Sequence, residues 1–288
     1  MFEFPETLRI PMAKWVDLFM EYVLTNFGGF FDWIGQVSLA MLMSVEKLFL
    51  WIPWFVVVIA LGVIAWRVLS SVWKGMFMAA LLMVIGSFGY WELSMMTLSI
   101  VISSVILALV IGIPVGILMA WNKTVEAVIK PILDGMQTLP SFVYLIPALM
   151  LFGLGKVPAA FATFIYAVPP VIRLTCVGIR GVPGSVVEAA RAFGSSRMQI
   201  LFEVQLPLAK PSIMVGINQT TMMALAMVVI GSMIGAKGLG MEVLLSINRI
   251  EVGRGFEAGL SIVFLAIIID RITNALSKGG KYNGNGQL

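Results

Sequence analysis

Histidine is absent from this chain of 288 residues, and cysteine occurs once, as Cys176. The first absence removes His-ligated metal and haem sites, zinc-protease helices and Ser-His-Asp chemistry together. The second removes any intramolecular disulfide. Charge is scarce too: Asp, Glu, Lys and Arg make up 12% of residues, against about 25% in ordinary soluble domains. What fills the space is apolar, with 60% hydrophobic residues and a mean hydropathy of +1.00. Too little polar surface remains to cover a water-soluble globule, so the chain reads as an integral membrane protein. Its net charge of +4 is scattered through short connections instead of lying on one face. That pattern fits membrane topology and argues against a nucleic-acid partner. Few acidic residues remain near membrane depth for a membrane enzyme built on paired carboxylates.

A spanning helix needs about 20 mainly apolar residues to cross about 30 Å of hydrocarbon. Seven stretches are expected to do so: 48–66, 76–90, 97–121, 136–154, 157–179, 213–235 and 258–273, within a range of six to eight spans. The expected fold class is therefore all-α and polytopic. The first 47 residues differ. Lys14, Asp17 and Glu21 recur at helical spacing, while Trp15, Val16, Leu18, Phe19, Tyr22 and Val23 fill the other side. Such an amphipathic helix suits either the membrane interface or the protein's own extramembrane surface. Gly28 and Gly29 are expected to end it, leaving 32–47 as a second, less regular segment. The opening residues MFEFPETLRIPMAKWVDLF lack the basic leader of a secretory signal.

Lys and Arg in short loops set the orientation. Arg67, Lys74, Lys123, Lys130, Arg180, Arg191, Arg197, Lys210, Arg271, Lys278 and Lys281 fall on one side of a seven-span chain. The expectation is an external N-terminus, with 180–211 and the C-terminus in the cytoplasm. The chain then divides into an interfacial region 1–47, two peripheral spans in 48–92, a main transmembrane domain 93–276 and a tail 277–288.

The stretch 183–211, PGSVVEAARAFGSSRMQILFEVQLPLAKP, interrupts this apolar text. Ser185 with Glu188, and Ser196 with Gln199, each have the spacing of a capping box. Two short helices are expected, the first running to about Phe193 with Gly194 as a left-handed stop, the second ending before Leu206-Pro207. Val186, Val187, Ala190 and Phe193 give the first an apolar side, and Ile200, Leu201 and Val204 the second. Neither can span a bilayer, and isolated helices this short are unstable in water, so a cytoplasmic partner is expected to receive them.

Glu188-Ala189-Ala190, three residues, Gly194, nine residues, then Val204-x-Leu206-Pro207 resembles the EAA motif of ABC importer permeases, departing only in Val for the usual Ile. The resemblance implies that these residues form the helices that sit in a groove of the ATPase subunit. Small Ala189 and Ala190 would allow close approach and Gly194 the sharp turn. Glu188 either pairs with a basic ATPase residue or serves its capping box, and the two roles are compatible. Two further stretches, DGMQTLPSFVYLIP (134–147) and IGAKGLGMEVLLSINRIEVGRGFEAGLSIVFLAIIIDRIT (234–273), resemble permeases of glycine betaine/proline-type osmoprotectant uptake systems over most of 93–276. The implied fold is that of a type I importer, in a bacterial or archaeal plasma membrane. The implied partners are a second copy of the chain, an ATPase dimer that uses ATP and Mg2+, an external substrate-binding protein and membrane lipid. The chain lacks GxxxxGK[ST], so hydrolysis is expected from a separate subunit. The implied cargo is glycine betaine or a related compatible solute, with choline, carnitine, proline or another amino acid as the alternative. A secondary transporter would instead need an inverted repeat or intramembrane ionisable residues.

Pro140 and Pro147 are expected to interrupt one span and Pro169-Pro170 the next, as packing kinks or as breaks beside a water-filled path. Gly112/Gly116, Gly231/Gly235 and Gly255/Gly259 permit close helix contact and are compatible with a dimer. A quaternary ammonium could meet Phe142, Tyr144, Phe161, Phe164 or Tyr166, though lipid-facing or core roles are open to all five, and no substrate site is assigned. Asp270 with Arg271, and Arg173, are expected to snorkel to the cytoplasmic boundary.

Overall fold

The structure is a computed structural model that describes residues 10–278. The expected tail, beyond its first two residues, lies outside the described residues, as does Lys281. Among the described residues the regular elements are helices only, as the composition requires.

Helix α1, Met12–Trp51, runs unbroken for 40 residues. The expected stop at Gly28-Gly29 does not occur. Two helical glycines cost about 1 kcal/mol each, whereas a break in apolar surroundings would strand several backbone groups at several kcal/mol apiece. Helices α2, Trp54–Leu69, and α3, Val72–Ser87, form a hairpin across Ser70 and Ser71. At 16 residues each is about 24 Å long, short of a full hydrocarbon core. Their contact is close: a Cβ on Gly75 would lie 2.6 Å from the Gly62 carbonyl oxygen.

Helix α4, Trp91–Trp121, carries Pro114 without breaking. Helix α5, Lys123–Thr138, is capped by Asn122, whose Oδ1 accepts from the Thr124 N–H at 2.8 Å. The expected span 136–154 is replaced by a bend of 112° between α5 and the segment Ser141–Phe152, which is a 3-10 turn followed by α6, Leu145–Phe152. Pro140 causes it, since it offers no N–H and holds Leu139 extended. Pro147 falls in the first turns of α6, where a missing N–H matters little. Helix α7, Lys156–Arg180, passes through Pro169-Pro170 unbroken, so that expected interruption is absent.

After α8, Gly184–Ala192, and α9, Arg197–Gln199, a π-helical turn Ile200–Gln205 leads into α10, Leu206–Gly231. Helices α11, Leu239–Arg249, and α12, Val252–Lys278, complete the described residues. Among the described residues five stretches are long and apolar enough to cross a membrane, or six if α5 and α6 form one broken span, the low edge of the expected range.

Helices α4, α7 and α10 make the centre. Gly116 lets α4 and α7 touch: a Cβ there would sit 2.6 Å from the Thr175 Cβ and 2.7 Å from the Ile172 oxygen. The glycine pair 112/116 is thus used inside the chain. Cys176 is buried beside it. Polar contacts fix both ends of the bundle. At one end Arg180 donates to the carbonyls of Met119 and Ala120 and pairs with Glu126. At the other, the Gly155 N–H donates to Ile234 at 2.9 Å, and the Leu239 N–H to the Thr97 hydroxyl at 2.9 Å. Lys156, at that same end, pairs with Glu46 and so holds α1.

Candidate coupling surface

The segment 181–207 emerges at the Arg180 end. Pro183 (φ −54°, ψ 129°) turns the chain and α8 begins at Gly184, so Ser185 lies inside the helix and caps nothing. The expected first capping box is therefore not formed, and Glu188 is exposed and free of that duty. The C-terminus is as expected. Gly194 takes φ +84°, the Ser195 N–H reaches the Ala190 carbonyl at 3.1 Å, and the Gly194 N–H reaches Arg191 at 2.9 Å. These two bonds form a Schellman stop, which glycine adopts with least strain.

The second capping box is present. The Ser196 hydroxyl accepts from the Gln199 N–H at 3.3 Å, and the Gln199 side chain accepts from the Ser196 N–H at 2.8 Å. The helix it starts does not end before Leu206-Pro207. It widens into the π turn and continues as α10, because a π turn absorbs the hydrogen bond that Pro207 cannot donate.

One side of this segment is anchored. Leu201 packs with Ile179, Ala209 and Ile213, Ile200 is buried, and Val204 and Leu206 are half-buried. The other side is open. Helix α8 buries none of its residues, Ala189 and Pro207 are exposed with Glu188, and Ala190 is half-covered. Phe193 is 91% exposed, with Met198 and Phe202 also outward. A nine-residue helix is unstable alone, and here it is held by its C-terminal stop and its contact with the π turn. The arrangement is a rigidly rooted apolar knob with a carboxylate beside it. That is a docking shape without catalytic chemistry.

Three polar ties escaped the sequence reading. Arg180 bridges α7 to α4 and α5, a role that only the coincidence of a span-ending Arg with a nearby Glu126 could have suggested. Asp270 does not simply snorkel with Arg271, which lies 4.0 Å away and is largely exposed. Its Oδ1 accepts from Asn218 at 3.1 Å and from Asn274 at 2.7 Å, while Thr273 donates to the Asn218 oxygen. Arg173 has a partner as well, Asp134 of α5 at 2.6 Å. Of the five aromatics, Phe161 stacks on Phe152 at 4.3 Å, Tyr166 meets Tyr144 at 5.9 Å, Phe164 packs against the α4–α7 core, and Phe142 is exposed.

Residues 112–280 match the family of the binding-protein-dependent transport system inner membrane component. The chain is 44% identical over 282 residues to the glycine betaine/proline betaine transport system permease protein ProW of Escherichia coli (strain K12), covering 98% of this chain and 79% of that one. It is 43% identical over 277 residues to the glycine betaine transport system permease protein OpuAB of Bacillus subtilis (strain 168), covering 96% and 98%. Among solved structures, an inward-facing conformation of the MetNI methionine ABC transporter superposes with a TM-score of 0.58 at 22% identity, over 64% of this chain and 92% of that one. That likeness shows the fold.

Proposed function

Since the chain belongs to the binding-protein-dependent transport system inner membrane components, we propose that it carries glycine betaine or a related compatible solute into the cell, as the relatives' names suggest for them. It is a multi-pass permease subunit and not an enzyme, and an ATPase and a substrate-binding protein are its partners. In this reading the ATPase, using ATP and Mg2+, is a dimer docked on two copies of the chain in a plasma membrane. The Arg180 end faces the cytoplasm and the N-terminus lies outside. Lipid covers the outward apolar faces, including α1.

The observation that carries the coupling role is the unburied α8 with Phe193 at its tip, 91% exposed beside Glu188. Closure of the ATPases would press on α8. The force would pass through Leu201 into α7 and α10, which it touches, and so to the centre of the bundle. Uptake of labelled glycine betaine tests the reading in cells that lack their own osmoprotectant transporters and express the chain with its ATPase and binding protein. Gly194→Trp forces a bulky side chain into φ +84° where no neighbour would clash. It is expected to abolish uptake while the protein stays in the membrane. Uptake that persists without any ATPase would overturn the reading.

A further inference from the structure

The hairpin of α2 and α3 bends at Ser70, which takes φ +50°. Trp66 and Trp73 flank the bend with 44% and 80% of their surface open. Exposed tryptophans collect where the hydrocarbon of a membrane meets its headgroups. Between the bend and α12 lies a cavity of about 620 Å³, lined by Lys74, Arg271, Ser70 and Asn274 with Phe77 on its apolar wall. It is a step left by unequal lengths. Helices α2 and α3 stop at the bend, whereas α12 runs seven residues past Arg271 to Lys278, about 10 Å further. Among the described residues no acid lines this cavity, and none pairs with Lys74. The Asp270 Oδ2 lies 4.0 Å from Arg271, while its Oδ1 accepts from Asn218 and Asn274. A second cavity, of about 370 Å³ and wholly apolar, lies further in between the same three helices, with Leu61, Leu82, Ile268 and Ile272 among its walls. The two linings interleave along α12, where Ile272 and Thr273 of the apolar cavity stand between Arg271 and Asn274 of the charged one.

We propose that the two cavities together hold one anionic phospholipid, with its phosphate between Lys74 and Arg271 and a chain in the apolar cavity. The guanidinium donates two parallel N–H bonds to phosphate oxygens, and the Lys74 ammonium adds a point charge with its own donors. The Ser70 hydroxyl and the Asn274 N–H that Asp270 does not take complete the set. Every polar side chain on the wall of the charged cavity can therefore donate, which suits an anion. A zwitterionic headgroup would bring an ammonium toward two cations with no carboxylate in the cavity to receive it, so net-negative lipids are preferred. A soluble phosphate would use the same donors but leave the apolar cavity unfilled. The seated lipid neutralises both cations and fills the step, and so holds the hairpin against α12. The site is independent of the cargo.

The test places the permease with its ATPase in vesicles of equal parts phosphatidylglycerol and phosphatidylethanolamine. The complex is then extracted and washed in detergent, and the lipid it retains is read by native mass spectrometry. The wild type is expected to retain phosphatidylglycerol in preference. Lys74→Gln/Arg271→Gln is expected to lower the ratio of phosphatidylglycerol to phosphatidylethanolamine by about thirtyfold, at about fivefold for each basic residue lost near the membrane surface. Both side chains are exposed, so the substitutions leave the packing alone. Lys74→Arg/Arg271→Lys, which keeps both charges, is expected to retain the preference. Equal retention of the two lipids by the wild type would overturn the site, whatever the variants do. So would an unchanged ratio in the glutamine variant, since the two cations would then only mark the membrane boundary. Inorganic phosphate is the third arm. If it raises the unfolding temperature of the delipidated complex as much as phosphatidylglycerol does, the ligand is a soluble anion and the lipid assignment falls.

Discussion

Ser185 and Ser196 each stand three residues before a side chain that can complete a capping box, yet only Ser196 caps. The difference is Pro183, whose fixed φ starts the helix early and carries Ser185 into its first turn. Ser196→Ala is therefore expected to destabilise the start of α9 by about 1 kcal/mol, read as faster amide exchange over 197–201, while Ser185→Ala changes little. Asp270 offers a second residue-scale test. It is the shared acceptor for Asn218 and Asn274 between α10 and α12. Asp270→Leu strands both amides and is expected to cost about 1–3 kcal/mol, seen as a lower unfolding temperature in detergent. Asp270→Asn, which still offers an acceptor, is expected to cost less.

At the scale of the element, Gly116 decides how closely α4 and α7 approach. Gly116→Leu would drive a side chain into Thr175 and the Ile172 carbonyl, and the two helices would have to separate. A destabilisation of about 1–3 kcal/mol or more is expected from such overpacking, measured as a lower yield of folded protein and a lower melting temperature.

Long apolar runs made α4, α7, α10 and α12 legible, because in a membrane length and hydropathy nearly suffice. The stop at Gly194 and the box at Ser196 were legible because they depend on near neighbours. Three things were not. Gly28-Gly29 reads as a break, whereas α1 runs through both glycines without one. Leu139-Pro140 and Pro169-Pro170 look alike as interruptions, but only the first breaks a helix, while α7 runs through the second with α4 and α10 packed against it. The partners of Arg173 and Arg180 lie 39 and 54 residues away, which no local pattern encodes.

Taken whole, the molecule has two unlike ends. One is tied down by Thr97 and Leu239, by Gly155 and Ile234 and by Lys156 and Glu46. The other is gathered by Arg180 and projects α8, none of whose residues is buried. The π turn that α8 packs on is rooted between α7 and α10 by Leu201, Ala209 and Ile179. The central claim is that the exposed tip at Phe193 sits in the ATPase. With buried Cys176 replaced by Ala, single cysteines at Phe193 and at Leu154, which is 77% exposed at the opposite end, give two positions for a short thiol crosslinker in the assembled complex. The account predicts that Phe193→Cys crosslinks to the ATPase and that Leu154→Cys does not. A crosslink to the ATPase from 154 and none from 193 would contradict it.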